Sequence, residues 1–154
     1  MKISIVVHKP EFSATFKALN EEWIDQHFVM EAADYKSLDN PEENIINKGG
    51  QILYAIADDE PVGVCALIKS ENHQYDYELA KMAVKPSHQG NGIGKLLAHK
   101  VISAARELGG KTLFLESNTL LEAAIALYRK LGFVEIQDME SPYERSNIQM
   151  VLVL

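Results

Sequence analysis

Three glycines in five positions stand directly in front of a predicted helix in the stretch HQGNGIGKLL, residues 88–97. The spacing G-x-G-x-G does not match the dinucleotide fingerprint G-x-G-x-x-G, because Lys95 stands where the last glycine belongs. It does not match the P-loop either, since Leu96 replaces the Ser or Thr that holds magnesium there. The pattern that the stretch does match is Q-x-x-G-x-G, formed by Gln89, Gly92 and Gly94.

A glycine loop at the start of a helix is suited to binding phosphate. The first N–H groups of a helix lack internal partners and lie at the positive end of its dipole, and glycines let the backbone approach an anion. The charge around the loop agrees, because residues 79–106 include five basic residues and no acidic one. We therefore expect a diphosphate on the N–H groups of Gln89 through Gly94, with Lys95 nearby. A tight strand-to-helix turn without a ligand is the alternative.

Composition narrows the class of protein further. The length of 154 residues predicts one domain, residues 1–154, and 47% hydrophobic residues suffice for a core. The net charge of −7 argues against a nucleic-acid partner, and no apolar stretch approaches the roughly 18 residues that a membrane span needs. A single cysteine, Cys65, fits a cytoplasmic protein without disulfides. The five histidines show no metal-ligand spacing, so we expect no metal.

Hydrophobic periodicity predicts the elements that position the loop. Strands are predicted at Lys2–Val7, Gln51–Asp58, Val62–Ser70, Tyr75–Val84, Thr112–Ser117, Phe133–Gln137 and Asn147–Leu154. Helices are predicted from about Pro10 to Phe28, over Ala32–Leu38, near Pro41–Asn47, from Ile93 to Leu108 and from Leu121 to Leu131. This order gives an antiparallel front half and a back half in which strands and helices alternate.

The block from Tyr75 to Ile136 resembles the GNAT superfamily of acyl-CoA-dependent N-acetyltransferases. The resemblance rests on ELAKMAVKPSHQGNGIG, TLFLESN and AIALYRKLGF, which follow one another in the order and spacing of that family. It implies an α/β (α+β) fold with a mixed, largely antiparallel central sheet, splayed central strands and flanking helices. It also implies transfer of an acetyl group from acetyl-CoA to an amine, without a metal.

The resemblance also assigns residues to the cosubstrate. Met82, Ala83 and Val84 would pair their backbone with pantetheine, where their strand splays away from Thr112–Ser117. The CoA diphosphate would lie on the loop, beside Lys95 and on the backbone amides of Gln89, Gly90, Asn91, Gly92, Ile93 and Gly94. The family usually has Asn at the position of Leu121, and Asn118, one turn earlier, is the residue that would compensate.

Two residues match catalytic positions of the family. Glu78 matches a strand carboxylate that serves as general base, directly or through water, and Tyr128 matches a tyrosine that protonates the leaving thiolate. From the hydrophobic pattern alone, Tyr128 could equally be a core residue on the apolar face of its helix. Glu78 alternates with apolar neighbours, which also fits a residue on the solvated face of a strand. Lys81, on the same strand, is expected to point outward.

The family places the acceptor between the first helices and the loop before the last strand. Here these segments offer Trp23, Phe28, Tyr143 and Arg145. Because an arginine fork binds a carboxylate in a bidentate way, we expect a small primary amine that also carries a carboxylate. The alternative acceptors are a polyamine or a protein amine, and the alternative to an enzyme is a non-catalytic acyl-CoA sensor. The alternative role of Arg145 is surface pairing with Glu144 or Glu140. A homodimer is a further expectation.

Overall fold

In the computed structural model, which describes residues 2–71, 74–137 and 140–154, seven β-strands form one sheet flanked by four α-helices. The strands are β1 Ile3–Val7, β2 Gln51–Ala57, β3 Glu60–Lys69, β4 Tyr77–Val84, β5 Thr112–Ser117, β6 Val134–Ile136 and β7 Ile148–Val153. The helices are α1 Ser13–His27, α2 Ala32–Asp39, α3 Ile93–Glu107 and α4 Glu122–Lys130. Short 3₁₀ turns at Pro10–Phe12 and Pro86–His88 precede α1 and α3, and a π-helical turn occupies Glu42–Ile46.

The strand order is β1-β2-β3-β4-β5-β7-β6, and every neighbouring pair is antiparallel except β4 and β5. The parallel pair follows from the connection, because a chain that returns through α3 enters the next strand in the same direction. The predicted fold class, a mixed and largely antiparallel sheet with flanking helices, is confirmed.

The two central strands separate after a short contact. Among the described residues, β4 and β5 pair at Tyr77 with Leu113 and at Glu78 with Phe114. On its other edge, β4 carries a bulge, because the register with β3 shifts between Val64 and Ala66. Lys81 lies within this bulge and has a left-handed backbone, with φ of 54°. The predicted splaying is therefore present, and it leaves the later part of β4 without a partner on the β5 side.

Two hydrophobic clusters cover the faces of the sheet. One joins α3 and α4 to the sheet and includes Leu97, Val101 and Tyr128. The other joins α1 and α2 to the opposite face and includes Phe16 and Leu38. Among the described residues, no helix is both long enough and apolar enough to cross a membrane.

Several element boundaries differ from the predicted ones. The β2–β3 turn consists of Asp58 and Asp59, whose φ angles are 50° and 65°, so β3 begins at Glu60 rather than at Val62. Two successive positive φ angles fit the tight hairpin turns that match strand twist. The helix predicted near residues 41–47 is a π-helical turn, and α1 begins three residues after Pro10 because a 3₁₀ turn comes first.

Candidate active site

A cavity of about 580 Å³ opens where β4 and β5 separate. Its wall comes from both strands, from α1 and α4, and from the loop before β7. It brings together twelve of the residues predicted for the site: Trp23, Phe28, Glu78, Met82, Ala83, Val84, Gln89, Gly94, Asn118, Tyr128, Tyr143 and Arg145. The cavity lining does not include the other five predicted residues, which are Gly90, Asn91, Gly92, Ile93 and Lys95.

The glycine loop presents its backbone, not its side chains, to the outside. Gly90 and Gly92 have φ angles of 83° and 76°, where residues with a side chain are uncommon. A Cβ added to either would meet no atom within 4 Å, so this surface is open to a ligand. The polar side chains hold the loop itself: Gln89 donates to the Val84 carbonyl at 3.0 Å, and Asn91 to the His88 carbonyl at 3.1 Å.

The N–H groups at the start of α3 are available to an anion. Among the described residues, the N–H groups of residues 90–95 have no backbone acceptor, and Leu96 N–H is the first to bond, to the Gly92 carbonyl at 3.0 Å. Gln89 differs from the prediction, because its N–H donates to the Pro86 carbonyl at 3.4 Å. Six free donors at the positive end of a helix dipole fit a diphosphate.

Three other residues predicted to bind the cosubstrate lie in different surroundings. The Lys95 side chain lies with His99 and Lys130 along a second hollow of about 410 Å³ between α3 and α4. Ile93 is buried, which leaves only its backbone to face a ligand. Asn118 uses both ends of its amide, since Nδ2 donates to the Arg145 carbonyl at 2.7 Å and Oδ1 accepts from Leu120 N–H at 2.9 Å.

Glu78 lies next to Glu116 on the α1 face of the sheet. Tyr77 and Leu79 belong to the cluster on the opposite face, so strand alternation turns Glu78 toward the α1 face. Removal from water, and then the negative charge of Glu116, raise the pKa of Glu78 to about 7, against the opposing effect of Lys81. A carboxyl group with this pKa can exchange a proton near neutral pH, which suits a general base.

Tyr128 lies on the other face, between α4 and the sheet. It is 7% exposed and packs edge-on against Phe133, with ring centroids 5.8 Å apart. Burial raises the pKa of its hydroxyl, which therefore stays protonated at neutral pH. A protonated hydroxyl at the cavity wall is a proton donor, so core packing and a catalytic role are compatible here.

The acceptor end of the cavity combines aromatic rings with a charged cluster. Trp23 and Phe28 come from the end of α1, and Tyr143 and Arg145 from the loop before β7. That loop is tied to α2, because Glu31 accepts the N–H of Glu144 at 2.8 Å. The attachment fixes the side chains of the loop over the cavity.

The charged cluster is centred on Asp34, whose side chain is fully buried. Arg145 forms a bidentate pair with Asp34, in which Nη1 donates to Oδ2 at 2.7 Å and Nη2 donates to Oδ1 at 2.6 Å. Nη1 also donates to Glu31 at 3.2 Å. Lys81 donates to Asp34 at 2.6 Å and to the Tyr143 hydroxyl at 2.9 Å. Arg145 and Lys81 lower the pKa of Asp34 to about 2, although its burial opposes this change.

Two expectations about this cluster need correction. Lys81 was expected to point outward, but its side chain is 5% exposed, because at the bulge in β4 it turns toward Asp34 of α2 and Tyr143 of the loop before β7. The surface pairing of Arg145 with Glu144 or Glu140, one of the alternatives, is replaced by pairing with Asp34 and Glu31.

Sequence reasoning missed Asp34, and a signal for it existed. Asp34 and Leu38 are four residues apart on α2 and both are buried, so an acid occupies the apolar face of a helix. Acidic side chains are rarely fully buried without a partner, so this placement predicts a basic residue opposite. Among the described residues, no group of three or more His, Cys, Asp or Glu is arranged to hold a metal ion.

The sequence of this chain is similar to those of known proteins. A model of the acetyltransferase (GNAT) family matches residues 14–133. The chain belongs to this family. YvbK of Bacillus subtilis (strain 168), an uncharacterized N-acetyltransferase, is 32% identical over 106 residues, 67% of this chain and 67% of YvbK.

Other curated relatives match over shorter segments. RimI of Mycobacterium tuberculosis (strain H37Rv), an N-alpha-acetyltransferase, is 39% identical over 62 residues, 40% of this chain and 37% of RimI. YjgM of Escherichia coli (strain K12), an uncharacterized N-acetyltransferase, is 46% identical over 59 residues, 38% of this chain and 35% of YjgM. The chain thus spans little more than a third of the length of these two relatives.

Solved structures match almost the whole chain. The GNAT-family acetyltransferase from Staphylococcus aureus Mu50 has a TM-score of 0.86 and 25% identity, covering 97% of this chain and 98% of its own. The PaiA N-acetyltransferase from Thermoplasma acidophilum, solved in complex with coenzyme A, has a TM-score of 0.76 and 18% identity, covering 100% of both chains. These structures share the GNAT fold predicted from the sequence.

Proposed function

We propose that this chain is an acetyl-CoA-dependent N-acetyltransferase acting on the primary amine of a small molecule, by direct attack in a ternary complex. The observation that carries the proposal is the continuous cavity in the gap between β4 and β5. Its lining includes Glu78, Tyr128 and Gly94, and Gly94 is one of the six residues whose N–H groups have no backbone acceptor among the described residues. A small acceptor is favoured because Glu31 holds the loop before β7 against α2, over the acceptor end.

The cosubstrate would bind mainly through backbone groups. The six N–H groups of residues 90–95 suit its diphosphate. Met82, Ala83 and Val84 lie beyond the last described residue pair between β4 and β5, so β5 does not occupy their edge of β4 and the amide groups of pantetheine could pair there. This arrangement would bring the thioester into the gap between the strands.

The proposed reaction divides proton transfer between the two faces of the sheet. The ammonium form of the acceptor gives a proton to the Glu78 carboxylate, directly or through water, and the free amine attacks the thioester carbonyl. The carbon–sulfur bond breaks, the nitrogen of the new amide loses its second proton to solvent, and the Tyr128 hydroxyl donates a proton to the departing thiolate. Tyr128 then recovers a proton from solvent and Glu78 releases the one that it accepted, so the products are the acetylated amine, CoA thiol and one released proton.

The proposal is tested by mixing the protein with acetyl-CoA and a panel of primary amines that contains monoamines, spermidine and a lysine peptide. Release of CoA thiol only when an amine is present, with the acetylated amine detected by mass spectrometry, is the expected result. Stabilisation by acetyl-CoA without any thiol release would instead support a non-catalytic acyl-CoA sensor. Fastest turnover on spermidine or on the peptide would contradict the small-monoamine part. The cytoplasmic location and the homodimer stay predictions.

A further inference from the structure

Two of the basic side chains at the acceptor end, those of Lys81 and Arg145, are already paired. Among the described residues that line the cavity, the basic ones are His27, Lys81 and Arg145. Arg145 uses both terminal nitrogens on Asp34 and Glu31, and the Lys81 ammonium binds Asp34 and the Tyr143 hydroxyl. To bind the terminal nitrogens of Arg145, a substrate carboxylate would have to displace a fully buried aspartate from its bidentate partner.

The acidic side chains of the same wall are not neutralised in this way. Glu78 and Glu116 lie side by side on the α1 face, and neither forms an ion pair with a described residue. Glu116 accepts a hydrogen bond from the Ser141 hydroxyl, which leaves its negative charge in place. Once Glu78 has lost its proton, the wall of the cavity next to the reacting groups is therefore negative, which favours a cation and disfavours an anion.

Aromatic rings occupy the rest of the acceptor end. Trp23 and Phe28 are both partly buried and line the cavity, and His27 bridges them with ring centroids 5.5 and 6.2 Å away. Indole and phenyl rings offer apolar contact area to the body of a ligand, and their faces attract an ammonium group.

We infer that the acceptor is a monocationic amine with an aromatic or apolar body and no carboxylate near the reacting amine. This inference rests on the proposed acetyl transfer and narrows its substrate class. It differs from the carboxylate-bearing acceptor expected from the sequence, because Asp34 already occupies the Arg145 fork that would bind a substrate carboxylate. The ammonium enters beside Glu78 and Glu116, while the body lies against Trp23 and Phe28.

Three compounds with one skeleton isolate the effect of charge. All three carry a benzyl group on the amine-bearing carbon: phenethylamine has no further substituent on that carbon, phenylalaninamide has a neutral amide, and phenylalanine has a carboxylate. Binding to the CoA-saturated protein is measured by calorimetry, and kcat/KM by CoA thiol release. We expect phenethylamine and phenylalaninamide each to exceed phenylalanine at least tenfold in both measurements.

A pair of variants tests the aromatic contact. Trp23→Ala should raise KM for phenethylamine at least fivefold and leave KM for acetyl-CoA unchanged. Tyr35→Ala is the matched control, since this ring is 42% exposed on α2 and does not line the cavity. The control should leave both constants unchanged.

The outcomes separate this inference from the function on which it rests. If thiol is released but phenylalanine matches or exceeds phenylalaninamide, the inference is overturned and the transferase remains. If the compounds bind in the expected order but no amine releases thiol, the transferase proposal fails and the binding preference stands. An unchanged KM for phenethylamine in Trp23→Ala overturns the aromatic part.

Discussion

Replacing Glu78 by glutamine is expected to remove activity and to stabilise the fold at alkaline pH. Removal from water and the charge of Glu116 raise the pKa of Glu78 from 4.5 to about 7, although Lys81 opposes this. Between these values the native state binds more protons than the unfolded chain, so stability falls as the pH rises through this range. Below it the carboxyl is protonated in both states and costs nothing, and above it the full cost of burying the charge is present.

The size of the effect follows from the two pKa values. Their difference of about 2.5 corresponds to about 3 kcal/mol above pH 7, at about 1.4 kcal/mol for each pH unit. This is an upper limit for Glu78→Gln, because the amide also loses contact with water. For a chain of this size, about 1 kcal/mol moves Tm by about 2–4 °C. We expect the variant to melt up to about 10 °C above wild type at pH 8.5 and close to wild type at pH 4.5.

The same substitution has the opposite effect on turnover. A general base contributes about 10²–10⁴-fold, so Glu78→Gln should lower kcat/KM by that factor at pH 7.5. Wild-type kcat/KM should rise with pH up to about 7 and then level off, as Glu78 loses its proton. Glu116→Gln is the matched control: it keeps the base and removes the charge that raises its pKa, so the rise moves to lower pH.

Thiol release and thermal unfolding, followed across the same pH series, check both halves of this prediction. Wild-type kcat/KM in Glu78→Gln would refute the assignment of the base. A stability difference between wild type and Glu78→Gln that stays constant from pH 4.5 to 8.5 would refute the argument that burying the charge of Glu78 destabilises the fold.

Three further predictions concern the loop, the proton donor and the charged cluster. Acetyl-CoA at about 100 times its Kd should stabilise wild type by about 2.7 kcal/mol. Gly92→Asp should abolish this thermal shift and Gly109→Asp, at a similar φ away from the loop, should retain it; equal shifts would exclude the loop as the diphosphate site. Tyr128→Phe should lower kcat with the acetyl-CoA Kd unchanged, and wild-type kcat would leave Tyr128 as core packing alone. Asp34→Asn should destabilise the protein by about 3–5 kcal/mol in denaturant titrations, because Lys81 and Arg145 lose their buried counter-ion, whereas a loss below about 1 kcal/mol would contradict that role.

Local patterns were enough to predict the elements that carry the proposed cosubstrate site. The glycines before α3 and the apolar periodicity of α3 and α4 are short-range features, and they place the loop and Tyr128 correctly on their elements. The left-handed backbone at position 92 favours glycine, so the residue type there reflects the local conformation.

Long-range features of the acceptor side were not predictable in the same way. The side-chain direction of Lys81 depends on a bulge in the pairing of β3 with β4, and one inserted residue reverses which face a side chain occupies. Arg145 and Asp34 are 111 positions apart, so their pairing appears only once the loop before β7 packs on α2. The occupied fork of Arg145 is the reason why an arginine that looked available for a substrate carboxylate is not.

The short contact between β4 and β5 also determines how strongly the two halves of the sheet are coupled. Within the described residues, two residue pairs are the ladder that joins the four-stranded half, β1 to β4, to the three-stranded half, β5, β7 and β6. A bound cosubstrate that pairs with β4 in the gap would add a bridge where the sheet is narrowest. Amide hydrogen exchange should then show the two halves opening independently in the free protein and as one cooperative unit when acetyl-CoA is bound. The bound cosubstrate would thus take the place of an additional strand and couple the unfolding of the two halves of the sheet.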